Sequence, residues 1–390
     1  MGDGHGGRGG AEAGEQVRRE GGSVDDIGEI DGLAMDDELA FASRLTPLLY
    51  EKLPTAEQIR ALEGGGVSYS ASQWLESMKR RGLSGVVGAV EEAPAFLTDG
   101  GEVAKPWGVL RRLRSGPQTG QAAAGSGFAL QRIFEASGRY WGLTTDLDLI
   151  AMDRVKLIEA SVFHGVELVA EEDLPVGFVK DAAAARLVAT PSGELRPDGS
   201  YARREGVKLT GQRRVGGLLE TRDGHWVAES ALLLIEARKE FPSFATGERK
   251  WVDVALRSQT LVAYSGRHAV YATLVSAGRG GLGDPAEVPA TVRGTFMIVA
   301  KHVSSTMDGE DDVSDSYSLR DVPFVQYFHK GYALHGAYWH DDFGKERSHG
   351  CINLSPRDSA WLFEWTDPPV PSEWHSVLNK KRGTVVHIHP

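Results

Sequence analysis

The chain has a single cysteine, Cys351, in the run Ser348-His349-Gly350-Cys351-Ile352-Asn353, and a histidine upstream in Leu334-His335-Gly336. A lone cysteine forms neither an internal disulfide nor a multi-thiolate metal site. It is an inert core thiol or a nucleophile, and its polar, glycine-rich neighbours favour the nucleophile. A thiol attacks a carbonyl only as thiolate, and with an unperturbed pKa of about 8.5 it needs a base near neutrality. His335 and His349 are both candidates. His349 is close to Cys351 in any conformation, whereas the fold must bring His335 there. Gly350 lets backbone approach a substrate closely, and the N–H groups of Gly350 and Cys351 are candidate oxyanion donors. His329, His335, His340, His349 and Cys351 could also supply zinc ligands. Paired-ligand spacing is absent, however, and His349 with Cys351 is an awkward i, i+2 pair, so no metal site is expected.

The segment resembles the signature of the YkuD-type L,D-transpeptidases, which cross-link peptidoglycan: a histidine, a spacer, then Ser/Thr-His-Gly-Cys-apolar-Asn. The similarity runs through about residues 250–390. It includes Ala272-Thr273-Leu274-Val275-Ser276-Ala277-Gly278, Val322-Pro323-Phe324, Trp339-His340-Asp341-Asp342-Phe343-Gly344 and Asn353-Leu354-Ser355-Pro356-Arg357-Asp358. One departure is Thr291-Val292-Arg293-Gly294, where the family usually has Thr-Pro-x-Gly; it touches a turn and no catalytic position. The resemblance implies that Cys351 is the nucleophile and His335 the base. It also implies that the Gly336 carbonyl orients the ring, fixing the tautomer without adding a charge. Ser348, His349 and Asn353 would hold the loop and line the site.

By the same resemblance the reaction is ping-pong acyl transfer without a cofactor. Cys351 would take the acyl group of a donor tetrapeptide stem, releasing D-Ala, and pass it to an amine on an acceptor stem or on a wall-anchored protein. Water as acceptor would make the chain an L,D-carboxypeptidase, and a vestigial thiol would leave a non-catalytic wall-binding protein. Tyr338 and Trp339, between His335 and Cys351, are candidates to line the cleft. Arg347 is a candidate to hold a stem carboxylate, or else a rim charge. The family implies an extracytoplasmic location, although Met1-Gly2-Asp3-Gly4-His5 does not read as a signal peptide.

The elements that must position these groups belong to a chain of 390 residues, which calls for two or three domains. A formal charge of −11 argues against nucleic acid as partner, and Arg111-Arg112-x-Arg114 reads as solvated surface. No apolar run reaches the roughly 18 residues of a membrane span. Residues 1–35 read as disordered and low in complexity. Residues 36–88 read as a helical segment: Leu39, Phe41, Leu45, Leu48, Leu49 and Leu53 form one stripe. A second helix begins at a Ser70 or Ser72 cap and stops near Gly82.

Residues 89–165 and 166–247 read as two β modules. Gly138-Arg139-Tyr140-Trp141-Gly142 before Ile150 and Gly224-His225-Trp226-Val227-Ala228 before Ile235 share one Trp-to-Ile spacing, similar to bacterial SH3-like units. The catalytic domain, 250–390, reads as a meander over 251–276, further strands at 294–300 and 324–328, a helix opened by Ser355-Pro356-Arg357-Asp358, and a closing strand at 384–388. Trp361 and Trp365 read as core, His387 and His389 as one solvated strand face, and the acids of 308–315 as a solvated loop. The expected fold is mainly β: a sandwich-like catalytic domain preceded by a short helical segment and SH3-like β modules.

Overall fold

Runs rich in β-branched and aromatic residues make strands of Lys250–Ala255, Thr260–Ser265 and His268–Leu274, and these pair antiparallel as a meander. Val385–His389 lies parallel to the first of them, with Trp251 opposite Val385. Gly294–Met297 and Val166–Glu167 complete a six-stranded sheet. The facing layer is the long hairpin Ala300–Gly309 and Tyr317–His329, followed by Tyr332–Gly336 and Ile352–Leu354. Val252, Val254, Leu261 and Ala263 from the first sheet meet Phe328, Leu334, Ile352 and Leu354 from the second. Each such buried Val, Leu, Ile or Phe side chain contributes about 1.5–3 kcal/mol, so the seam between the layers is the core on which the site is built.

The computed structural model describes residues 38–42, 47–64, 70–81, 90–103, 116–122, 126–169, 173–180, 182–309 and 317–390. The expectations for residues 1–35, Leu45, Gly82, Arg111-Arg112, Arg114 and most of the acidic 308–315 run lie outside them. Among the described residues the strands form sheets of 13, seven and six, and no helix is long and apolar enough to cross a membrane. The molecule is mainly β and sandwich-like.

The helix Pro356–Trp365 forms where expected. Ser355 caps it, accepting from the Asp358 N–H at 3.0 Å, and Ala360, Leu362 and Phe363 are buried. Trp361 is half-buried and stacks on Tyr271 at 4.1 Å. Asp358 does more than favour the positive helix end. Fully buried, it accepts hydrogen bonds from Tyr271, Thr273 and the Gly165 N–H. It thereby ties the helix to the meander and to the segment entering the domain.

The N-terminal region departs from expectation. The described residues of this stretch are not helical: Glu38–Ala42 is a strand between Gly127–Ala136 and Val155–Ile158, and Leu48–Tyr50 pairs with Leu149–Ala151 and Gln118–Gln121. Both short runs are paired on each side by distant strands, which outweighs local helical periodicity. Helices follow at Ala56–Glu63 and Ala71–Arg80, each opened by a capping box, Thr55 with Gln58 and Ser70 with Gln73. Trp74 and Met78, one turn apart, bury the second helix against the sheet.

The shared Trp-to-Ile spacing does not align the two stretches strand for strand. Leu149–Ala151, a 3-10 turn at Met152–Arg154 and Val155–Ile158 correspond to His225–Ala228, a 3-10 turn at Glu229–Ala231 and Leu232–Ile235. Trp226 lies in the strand leading into the turn, whereas Trp141 lies one strand earlier, in Arg139–Thr144. Nor do the modules stand apart from the catalytic layers. Gly127 pairs in parallel with Leu319, which makes one sheet of the first module and the long hairpin.

Candidate active site

Tyr332–Gly336 and Ile352–Leu354 are parallel neighbours, with Leu334 opposite Ile352, His335 opposite Asn353 and Gly336 opposite Leu354. Side chains alternate along a strand. His335 and Asn353 therefore project to one face, and Cys351 stands just before the strand that carries Asn353. His335 Nδ1 donates to the Gly336 carbonyl at 3.1 Å. A carbonyl only accepts, so the neutral ring carries its proton there and keeps its lone pair on Nε2. Gly336 must be glycine: a Cβ would meet Ser359 Oγ at 2.5 Å and Pro323 Cγ at 2.8 Å.

Burial sets the resting charges. His335 is buried, and this lowers its pKa to about 4, with the Gly336 bond opposing. The half-buried Cys351 thiol is pushed up to about 11 by burial, against a backbone bond at Ala333, and Sγ lies 3.7 Å from the Gly331 carbonyl. At rest the pair is a neutral thiol and a neutral imidazole.

The loop that presents Cys351 hangs on the residues after the meander. Ser276 and Asn353 exchange both backbone hydrogen bonds at 2.9 Å, the N–H groups of Arg347 and Ser348 donate to Ala277 O, and Arg279 N–H donates to Ser348 O. Ser348 Oγ donates to the Cys351 carbonyl and accepts from the Gly350 N–H at 3.0 Å. That engages one of the two expected oxyanion donors and leaves the Cys351 N–H as the other. Gly350 has φ +144, and a Cβ would meet the Tyr332 ring at 2.7 Å. His349, half-buried, lies between these two anchored residues.

Thr291, overlooked in the sequence because its neighbourhood reads as a turn, is fully buried. It accepts from the Gly278 N–H at 2.9 Å and donates to the Gly350 carbonyl at 2.8 Å. Its bonds make no use of the position where this chain departs from the family pattern.

Trp339 is half-buried beside the base, its ring 5.7 Å from that of His335, and it packs on the same apolar cluster as Cys351. Tyr338 does not line the cleft. It is buried, its hydroxyl donates to the Arg320 carbonyl at 2.7 Å, and it leaves room only for glycine at position 127. Neighbouring side chains on a loop point in different directions, and here Tyr338 points to the first module. Arg347 is an exposed rim residue paired with Asp342.

His340, another residue to which sequence reasoning gave no catalytic part, sits against the site. Its Nε2 is 3.1 Å from the Asn353 carboxamide, and its Nδ1 accepts the Asp342 N–H at 3.2 Å. The neutral ring then carries its proton on Nε2 and offers it to the amide oxygen, a half-turn of the amide exchanging its two ends. Burial lowers the His340 pKa to about 4, opposed by Asp342 and reinforced by Arg347 and His335.

A thiol just before the strand that pairs with an oriented histidine is the candidate site, and comparison with known proteins shows what the surrounding segment resembles. Residues 249–388 match the YkuD family, the L,D-transpeptidase catalytic domain, so this segment of the chain is similar to that family. Among solved structures it is similar to a mutant Enterococcus faecium L,D-transpeptidase, at 21% identity over 37% of this chain and 50% of that one, with a TM-score of 0.28. The catalytic domain of an E. faecium L,D-transpeptidase is 22% identical over 36% of this chain and 98% of that one, with a TM-score of 0.28. An L,D-transpeptidase from Mycobacterium smegmatis is 19% identical over 59% and 93%, with a TM-score of 0.30. The chain spans half the length of the first of these. No curated protein matches the chain.

Proposed function

We propose that the chain is a peptidoglycan L,D-transpeptidase in which Cys351 is the nucleophile and His335 the base. The observation that supports this reading is the strand register, which sets His335 opposite Asn353, two residues after Cys351, together with the Nδ1 bond to Gly336 O that leaves Nε2 free to accept a proton. Cys351 attacks the carbonyl between the third residue and the terminal D-Ala of a donor tetrapeptide stem as its proton passes to His335 Nε2. The carbon–sulfur bond forms, the carbon–nitrogen bond breaks, and D-Ala leaves with that proton. An amine of an acceptor stem then attacks the thioester and gives a proton to His335, which returns it to the departing sulfur.

Because thiol and imidazole are both neutral at rest, charge develops only with substrate in place, where the Cys351 N–H faces the growing oxyanion. The Gly350 N–H joins it only by leaving Ser348. Trp339 forms a wall of the cleft beside His335. The two β modules are read as SH3-like units that set the enzyme on wall polymer outside the cytoplasm.

Mass spectrometry of purified disaccharide-tetrapeptide incubated with the protein tests the reading. Loss of D-Ala with a dimeric product is expected, and Cys351→Ala and His335→Ala should abolish it. Tripeptide alone would mean hydrolysis instead of transfer, and product formation that survives Cys351→Ala would sink the mechanism.

A further inference from the structure

The loop between His335 and Cys351 is gripped from outside the catalytic segment. Arg204, in the turn between Leu195–Ala202 and Gly206–Arg214 of the second module, is buried at 9% exposure and has φ +61. Both of its terminal nitrogens engage the Asp341 carboxylate, and Nη1 also donates to the Asp341 carbonyl at 2.7 Å. Arg203 adds a bond to that carbonyl at 3.3 Å, and Ser161 donates to the same carboxylate. The Arg204 guanidinium lies over the Phe163 ring at 5.5 Å, and Phe163 stacks on Phe343 of the loop at 5.8 Å.

A non-glycine residue in the left-handed region costs about 1 kcal/mol or more, and such outliers gather where geometry matters. Burying an arginine is costly unless its partners are well placed. Simple docking of a module would need neither. A two-point hold on a carboxylate together with the backbone carbonyl of the same residue fixes that residue in height and rotation. The next residue back is His340, which meets Asn353 opposite His335.

We propose that Arg204 is a positioning residue of the cysteine site: by holding both the carboxylate and the carbonyl of Asp341, it fixes where His340 meets Asn353 beside His335. The second module is thereby part of the active-site scaffold as well as an appendage to it. This rests on the reading of Cys351 and His335 given above.

The experiment uses the full chain and two readouts: D-Ala release from disaccharide-tetrapeptide, and the rate of Cys351 alkylation by iodoacetamide. The second needs no substrate and reports one site, since the chain has one cysteine. Arg204→Ala should lower kcat/KM by about tenfold or more through kcat, the size of effect that a small misplacement produces. It should also change the alkylation rate, at temperatures well below an unfolding midpoint measured for each variant. Arg204→Lys, with one point of contact in place of a fork, should restore only part. In a His340→Gln background Arg204→Ala should cost less than in the wild type, because it acts through His340.

Rates within twofold of wild type, or full additivity with His340→Gln, would overturn the proposal and leave Arg204 a docking contact. A wild-type protein that releases no D-Ala would instead count against the transpeptidase reading, and the alkylation series would still decide the role of Arg204.

Discussion

The two sides of the site are held by different means. The strands carrying His335 and Asn353, and the Cys351 loop, are fixed mainly by backbone: parallel register, the exchange with Ser276, and bonds to Ala277 and Arg279, with the Ser348 and Thr291 hydroxyls bridging the loop. The loop at 338–342 is fixed by side chains, many of them from outside the catalytic segment. One end is held by packing: the Tyr338 hydroxyl bonds to Arg320 O and the ring fits over Gly127. The other end is held by charge, through Arg203 and Arg204 on Asp341. The proposed reacting groups thus sit on a frame built from within the catalytic segment, whereas the wall beside them depends also on residues outside it.

The largest effect should come from breaking the backbone-held side. Gly350→Ala puts a side chain where φ is +144 and where its Cβ would lie 2.7 Å from the Tyr332 ring. Strain and overpacking together should cost about 2–5 kcal/mol, read as a lower urea midpoint, with product formation lost. A normal midpoint with full activity would mean that the loop is not held as tightly as its hydrogen bonds imply.

A smaller effect comes from pH, and it compares the two sides directly, because each carries a buried neutral histidine. The folded pKa values of His335 and His340 lie near 4, below the unfolded value of 6.5. Between these limits the unfolded chain binds more protons. The stability they confer is therefore complete above about pH 6.5 and is lost as pH falls toward 4, by roughly 3 kcal/mol for His335 and less for the half-buried His340. Urea unfolding of wild type and His340→Gln across this range should show a shallower fall in the variant. Parallel curves would mean that His340 is already protonated in the folded protein. Activity should keep its acid limb near pH 4, where His335 ceases to be a base, and a limb near 6.5 would show that the base is solvated.

The sequence disclosed the backbone-held side and hid the other for a physical reason. The Cys351 motif, the meander and the Ser355 cap are local patterns whose spacing carries their geometry. Arg204 and Asp341 are 137 residues apart, and an Arg-Arg pair in a turn has no periodicity that names its partner. Tyr338 and Trp339 were equal candidates for the cleft until the strand ahead of them fixed which way each turns. The strands at 38–42 and 48–50 were misread because what makes them strands is the neighbours on both sides. The Trp-to-Ile spacing misaligns the two stretches because tryptophan is a conspicuous residue and a 3-10 turn is not. Thr291 was legible as a residue but not as a bridge, since its two partners are brought together only by the fold.

The smallest expected effect separates the two ends of the loop. Asp341 is about half exposed while Arg204 is nearly buried, at 48% and 9% of the side chain, so salt reaches the pair from one side. Raising ionic strength from about 0.05 M to about 1 M shortens the screening length from beyond about 10 Å to about 3 Å. A pair of this exposure should then lose no more than about 1 kcal/mol. If the loop position sets the rate, wild-type kcat/KM should fall by about twofold to threefold over that range, a size consistent with such a loss. Arg204→Ala, which keeps only the longer and more exposed Arg203 pair, should show a shallower slope, and Tyr338→Phe, whose contact is buried and uncharged, should keep the wild-type slope. Salt also acts on a charged substrate, so the decisive quantity is the difference between variants. Equal slopes in wild type and Arg204→Ala would place the whole salt effect on substrate encounter and leave both ends of the loop held alike.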